Sequence, residues 1–319
     1  MVSLKPHKLI KICNELILKQ NTKKYLLAFS GGQDSSIILD CFIKISKKCD
    51  IKVRSIHINH GLNNQSEKYE KHCAEISKSY GINHKTITIN VNGKSNLEEK
   101  CRVERYKALV NNCSSGEYIV TGHHEDDQIE TFFLRLMRGS GIRGLSCMKT
   151  KSKYQNRTIF RPLIQTPKSL LNEYINYYNL SYIEDETNID CKYDRNFLRH
   201  KVLPVFKERW KSMNKNISNN IYVQEIYSRF INDNIDFFLS RYLDENNNIL
   251  ITVLKKEKLH TILIILHEWV YKKSSILLTV KQITELVKIM NTNNDSNPLF
   301  EFSTIRITKQ KNILKLDLF

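Results

Sequence analysis

The sequence predicts an α/β fold: a parallel sheet with helices on both faces, joined to a smaller, mainly helical C-terminal domain. Three observations predict it. Short apolar runs alternate with helically spaced segments through the first half, a glycine loop marks the first strand–helix join, and the pattern changes beyond Thr150.

Met1–Gln20 mixes Lys5, Lys8, Lys11 and Glu15 among apolar residues and reads as an amphipathic surface helix, not a signal peptide. Strands are expected at Tyr25–Phe29, Val53–Ile58, Lys85–Asn90 and Tyr118–Thr121. Between them, Ser35–Ile45, Ser66–Tyr80 and Leu97–Asn111 space their apolar residues three and four apart, as helices do. Such alternation with short connections implies a parallel sheet covered on both faces. Ligands then bind at the carboxyl ends of the strands, where Ser30, His57 and Gly122 fall.

Past Thr150, Arg161-Pro162-Leu163 and Thr166-Pro167 punctuate a loop, and helices are expected at Pro167–Tyr178 and Val202–Trp210. Glu184–Lys201 is polar and irregular. A boundary near Asn216 divides the chain into domains 1–215 and 216–319. The second should hold helices at Ile221–Tyr242, Glu257–Tyr271 and Thr279–Met290. A polar break, "NTNNDSNP", and two closing strands, Thr304–Thr308 and Asn312–Leu318, follow.

Composition narrows the class. Of 319 residues 41% are hydrophobic, enough for a real core, yet no segment approaches the roughly 18 apolar residues of a membrane span, so no membrane partner is expected. Eight scattered cysteines without a CxxC pair read as reduced thiols of a cytoplasmic protein. A formal charge of +17 favours a polyanionic partner, although Lys-rich compositional drift gives the same number.

"SGGQDSS", from Ser30 to Ser36, is a phosphate cradle. Glycines let the backbone approach a ligand, and the first-turn amides of the following helix hold an anion. Ser30, Ser35 and Ser36 add hydroxyls. The cradle lacks the lysine of the commoner phosphate loops and carries Asp34 instead, which makes sense if the carboxylate holds Mg²⁺ against a polyphosphate.

"SGGQDS" resembles the PP-loop motif of the ATP pyrophosphatases, whose fold is that of the adenine nucleotide alpha hydrolases. Segments "IHINHGL" (Ile56–Leu62), "EEKCRVERY" (Glu98–Tyr106) and "GHHEDDQIETFFLRLMRGSGIRGLSCM" (Gly122–Met148) are similar to those of the tRNA(Ile)-lysidine synthetases. So are "RPLI" (Arg161–Ile164), "IEDETNIDCKYDRNFLRHKVLP" (Ile183–Pro204) and "ERW" (Glu208–Trp210). The chain departs from the commoner pattern at Asn59 and Glu186.

The resemblance implies a two-step ligation on a CAU-anticodon tRNA(Ile). ATP adenylates carbon-2 oxygen of the wobble cytidine, and free L-lysine then displaces AMP to give lysidine. It places ATP against Ser30, Gly31, Gly32, Gln33, Asp34, Ser35, His57 and Gly122, with Mg²⁺ on Asp34 and Asp127. It also implies tRNA or cytidine contacts from Arg102, Arg105, Arg138, Arg143, Arg195, Asn196 and Arg199. A homodimer is one assembly compatible with it.

The residues support that chemistry. In a helix over His124–Met137, Asp127, Glu130 and Thr131 share one face, where carboxylates could serve a metal and an incoming ammonium. The amine must lose a proton, and His124, Asp127 and Glu130 are equal candidates for the base; with Asp34 they form the expected catalytic set. Cys191–Asn216 carries eight basic and two acidic residues interleaved with Tyr193, Phe197 and Trp210, suiting an anticodon loop whose bases can splay and stack. Two rivals are a tRNA cytidine 2-thiolase, whose relatives carry CxxC pairs absent here, and a non-catalytic basic RNA-binding protein, which would not require Asp34, Asp127 and Glu130.

Overall fold

The computed structural model describes residues 7–61, 66–90, 97–184, 190–292 and 298–319. Leu62, Glu186 and most of the "NTNNDSNP" break lie outside the described residues. The chain groups into two compact units, Met1–Leu134 with Ser146–Ile221, and Arg135–Leu145 with Tyr222–Phe319.

In the first unit, α1 (Lys8–Leu18) leads into β1 (Lys24–Ala28), α2 (Gln33–Ser46), β2 (Lys52–Asn59), α3 (Ser66–Ser79), β3 (His84–Thr88), α4 (Leu97–Asn112) and β4 (Glu117–Val120). The apolar run at β1 does not alternate because both its faces are buried. Tyr25 and Leu27 pack with α1, α2 and α7 (Lys168–Tyr178), whereas Leu26 packs against Tyr106 and Leu109 of α4.

The six-stranded sheet runs β3-β2-β1-β4-β6-β5, parallel except for its last strand. That last pair, β5 (Lys151–Tyr154) and β6 (Arg157–Phe160), lies in a stretch for which the sequence predicts no strand, just ahead of the expected loop at Arg161–Pro167. Its turn holds Gln155 at φ +50° and offers none of the glycine that normally flags a tight hairpin. Chain order reverses direction between β1 and β4, so the crevice at their carboxyl ends is the switch point of the sheet. It opens between the glycine loop and α5 (Glu125–Met137).

After α7, the segment expected to be irregular ends in α8 (Asp194–Phe197) and a π-helical stretch Leu198–Val202, and α9 (Leu203–Arg209) follows where a helix is expected. Leu203 and Phe206 of α9, with Met213 and Ile217, pack on Ile129 and Phe133 of α5.

The long helix α10 (Met213–Ser240) begins before the expected Ile221, so position 216 falls inside it. The second unit holds α6 (Ile142–Leu145), most of α10, α11 (Ile251–Leu254), α12 (Leu259–Ser274) and α13 (Val280–Asn291). Its antiparallel sheet runs β7-β10-β9-β8, comprising β7 (Ile249–Leu250), β8 (Leu299–Phe302), β9 (Ile305–Gln310) and β10 (Ile313–Leu318). The two expected strands are therefore the centre of a four-stranded sheet. One core built on Leu239, Leu266, Trp269 and Leu286 joins helices to Ile305, Ile307 and Leu314.

Candidate active site

Strand β1 delivers the chain to a loop whose shape is fixed from several sides. Gly31 has φ +83°, and a Cβ there would stand 3.1 Å from Cys73 Sγ. Ser35 Oγ accepts from the Ser30 N–H (3.2 Å) and donates to the Gly32 carbonyl (2.9 Å), closing a small ring. Gly32 is the N-cap of α2 and supplies no side-chain acceptor, so the first-turn amides of α2 face a ligand site. His57 anchors the loop from β2: its Nδ1–H donates to the Phe29 carbonyl at 3.0 Å. Burial pushes the His57 pKa down, keeping the ring neutral. Gln33 turns away and donates to Asn172 of α7.

Gly122 works by absence. A Cβ on it would lie 2.8 Å from the Asp34 carbonyl oxygen and 3.3 Å from the Ser35 nitrogen. Both are backbone atoms and cannot step aside. Gly122→Ala should therefore displace the first turn of α2 at a cost of about 1–3 kcal/mol and weaken nucleotide binding at least ~10-fold; titration calorimetry with ATP, alongside a melting curve, checks it.

Asp34 points from that first turn at an ammonium and an imidazole. Lys168 Nζ meets its Oδ1 at 2.6 Å, and His124 Nε2 its Oδ2 at 3.5 Å. Burial favours the neutral acid, yet His124 and Lys168 outweigh it and hold Asp34 below the usual carboxylate range. His124 Nε2 also lies 3.7 Å from Asp127 Oδ2, so one imidazole bridges two carboxylates.

The start of α5 explains that position. His124 Nδ1 accepts the Asp126 N–H (3.2 Å), while Asp127 Oδ2 accepts the His124 N–H (2.9 Å), a reciprocal cap with histidine in the usual serine place. Burial opposes charge on His124, but Asp34 and Asp127 raise its pKa nonetheless. The cap contact pulls the other way, because Nδ1 can accept only without a proton. That direct backbone contact sets the resting form, a neutral ring with its proton on Nε2.

Three residues on, Glu130 is buried at 1% exposure and held by two arginines. Arg195 Nε and Arg199 Nη2 reach its Oε2 at 2.6 and 3.0 Å, and Arg199 Nε its Oε1 at 2.6 Å. Arg195 Nη2 also holds Asp127 Oδ1 at 2.7 Å. The π-helical stretch after α8 carries Arg199 onto the same carboxylate as Arg195. Opposing the desolvation of Asp127, His124 and Arg195 hold its pKa at about 2.

The pH consequence follows from the sign. Asp127 has a depressed folded-state pKa, so its contribution is complete above about pH 4 and fades as pH falls toward 2. Wild type should exceed Asp127→Asn by about 2 kcal/mol at neutral pH, a gap that closes between pH 4 and 2 in chemical denaturation series.

A cavity of about 180 Å³ lies beside these groups, lined by Asp34, His124, Asp126, Glu130, Lys168 and Arg199, with Leu203, Pro204 and Lys207 opposite. It offers carboxylates to an ammonium and cations to a phosphate within one small space.

The expected site residues divide accordingly. The glycine loop, Asp34, His57, Gly122, His124, Asp127, Glu130, Arg195 and Arg199 come together. Arg105 joins them, since its charge helps push His123 down to about 3 and His60 to about 4, in each case behind burial. Asn196 donates to the Asp190 carbonyl (3.0 Å), and Arg102 is held by Glu99 (2.6 Å). Arg138 is exposed, and Arg143 is bound within the second unit by Glu268 (3.0 Å) and Asn232 (2.5 Å). Lys168 was not anticipated; its only sequence signal is a lysine directly after the Thr166-Pro167 helix start.

A parallel sheet with a glycine loop and its carboxylate at the switch point defines a PP-loop protein, and residues 5–206 match the PP-loop domain family. Among relatives, the tRNA(Ile)-lysidine synthase of Buchnera aphidicola from Acyrthosiphon pisum is 35% identical over 289 residues, covering 89% of this chain and 65% of that one. Those of Histophilus somni (33% identical, 89% of this chain, 67% of that one) and of Buchnera aphidicola from Schizaphis graminum (34%, 94% and 68%) are comparable. The chain belongs to the tRNA(Ile)-lysidine synthase family and spans about two thirds of the length of these relatives. In fold it is also similar to the U34-tRNA thiolase NcsA from Methanococcus maripaludis, at 16% identity and a TM-score of 0.56, over 68% of this chain and 80% of that one.

Proposed function

We propose that the protein is an ATP-dependent ligase that joins lysine to carbon 2 of the wobble cytidine in CAU-anticodon tRNA(Ile), switching its reading from AUG to AUA. The observation that carries this reading is the convergence of Asp34, Asp127 and Glu130 with Lys168, Arg195 and Arg199 beside the glycine loop.

In the first step the cytidine carbonyl oxygen attacks the α-phosphorus of ATP, and the bond to the β-phosphate breaks, releasing pyrophosphate. The amides of α2 and the Lys168 ammonium hold the phosphates in line. In the second step the lysine ε-amine attacks carbon 2 and AMP leaves with its bonding pair. Asp127 and Glu130 attract the ammonium, and the adjacent cations hold the departing phosphate. His124 serves as a donor here, since its Nδ1 is already occupied by the Asp126 N–H. The base role then falls to the carboxylates.

Mg²⁺ fits the site. Among the described residues no cluster of three or more ligating side chains could cage a metal alone. Asp34 and Asp127, bridged by one imidazole, provide the one or two carboxylates that Mg²⁺ takes alongside nucleotide phosphates. Bound there, it would neutralise charge developing on the phosphates. No helix among the described residues is long and apolar enough to cross a membrane; that the relatives are named for a tRNA substrate favours a cytoplasmic enzyme.

Product analysis tests the reading. With tRNA, lysine and ATP, the expected nucleotide products are AMP and pyrophosphate in a one-to-one ratio with modified tRNA. ADP and inorganic phosphate would contradict it.

A further inference from the structure

Helix α7 lies along α2 in strict register. Asp34 meets Lys168 at 2.6 Å and Asp40 meets Tyr174 at 2.6 Å, both pairs 134 positions apart. At the same offset, Lys44 Nζ stands 3.8 Å from the centre of the Tyr178 ring. A constant offset means that the two helices run parallel, with three rungs spaced about 9 and 6 Å along them. Between the rungs Leu171 and Ile175 pack with Ile37, Ile38 and Cys41 in one core.

The first rung belongs to the active site. The other two take no part in the chemistry, yet the middle one is the most buried. Asp40 is 2% exposed and Tyr174 fully buried. Asp40 Oδ2 accepts from the Tyr174 hydroxyl and from Lys44 Nζ, and its Oδ1 from the Tyr80 hydroxyl at 2.8 Å. Burial pushes the pKa of both hydroxyls up, so both stay donors.

We propose that Asp40 and Tyr174 are positioning residues for Lys168: their bond fixes α7 along α2, so that the ammonium, less than two turns earlier on α7, stands in place for the phosphates. The start of α7 cannot do this itself. Its N-cap is Pro167, which makes no side-chain cap bond. One backbone bond, from the Glu125 N–H to the Thr166 carbonyl at 3.1 Å, ties its entry to α5. A single tie fixes a point and leaves the helix free to turn and slide about it. Apolar packing permits such small shear between helices, whereas a hydrogen bond to a buried acceptor resists it. The Gln33–Asn172 bond is exposed and 3.3 Å long, a weaker tie than the buried one.

This rests on the reading of the crevice as a nucleotide site and is independent of the acceptor. Titration calorimetry with ATP, without tRNA or lysine, therefore tests it, with a melting curve of each variant to show that folded protein is measured. Tyr174→Phe keeps the ring and deletes the hydroxyl, and should weaken ATP binding ~5-fold. Tyr80→Phe deletes the other hydroxyl from the same carboxylate without touching α7. It should lower the melting temperature comparably, yet change ATP affinity less than ~2-fold. In a Lys168→Ala background, itself weakened, Tyr174→Phe should have no further effect, because the group it positions is gone. A folded wild type that binds no ATP would remove the nucleotide reading and this inference together. Unchanged affinity in Tyr174→Phe, an equal loss in Tyr80→Phe, or a loss that persists in full without Lys168 would overturn this inference alone.

Discussion

Asp34→Asn should lower ATP-dependent lysine incorporation by ~10³-fold or more, while tRNA affinity stays nearly unchanged. The substitution keeps the size and removes the charge. It strips Lys168 of its 2.6 Å partner and His124 of its 3.5 Å one, at the first turn of the helix that faces the phosphates. A metal shared with the nucleotide would lose one of two carboxylates. The loss should therefore appear in nucleotide binding at fixed Mg²⁺ as well as in turnover. Filter binding of tRNA separates the roles: a comparable loss of tRNA affinity would place Asp34 on the RNA and not on the nucleotide.

Arg195→Ala is the second large effect. Its guanidinium touches Asp127 and Glu130 together, and Glu130 is the most deeply buried of the site's carboxylates. Removing it strands buried negative charge, normally a cost of about 3–5 kcal/mol. Arg199 still holds Glu130 and the Arg195 side chain is 30% exposed, so about 2 kcal/mol is the expected loss of stability. Turnover should fall ~100-fold, more than tRNA affinity does, because the arginine organises the carboxylates that receive the amine. Arg195→Lys should restore less than half of the stability, since an ammonium cannot span both acids. Unaltered modification by Arg195→Ala would remove the residue from the site altogether.

What could be read from the sequence was local. The glycine loop and the start of α5 are each written within a few consecutive residues, so their glycines, carboxylates and helical spacing were legible. Strand β1 was legible because burial on both faces leaves an unbroken apolar run, Tyr25 to Leu27. The Lys168–Asp34 pair was not, because its members are 134 positions apart and only the packing of α7 on α2 joins them. Arg138 and Arg143 stand among the expected tRNA contacts, yet Arg143 belongs to a pair with Glu268, 125 positions away. The β5–β6 hairpin escaped because four-residue strands with a Gln-Asn turn carry little signal. Gly122 was legible as a strand-end glycine, but the Asp34 carbonyl it admits was not.

The most direct test of the account is transfer of radiolabelled lysine to CAU-anticodon tRNA(Ile) by the purified protein with ATP and Mg²⁺, followed by nuclease digestion. Label is expected on the wobble cytidine, dependent on ATP and lost in Asp34→Asn. Folded, nucleotide-binding protein that leaves the tRNA unlabelled would contradict it.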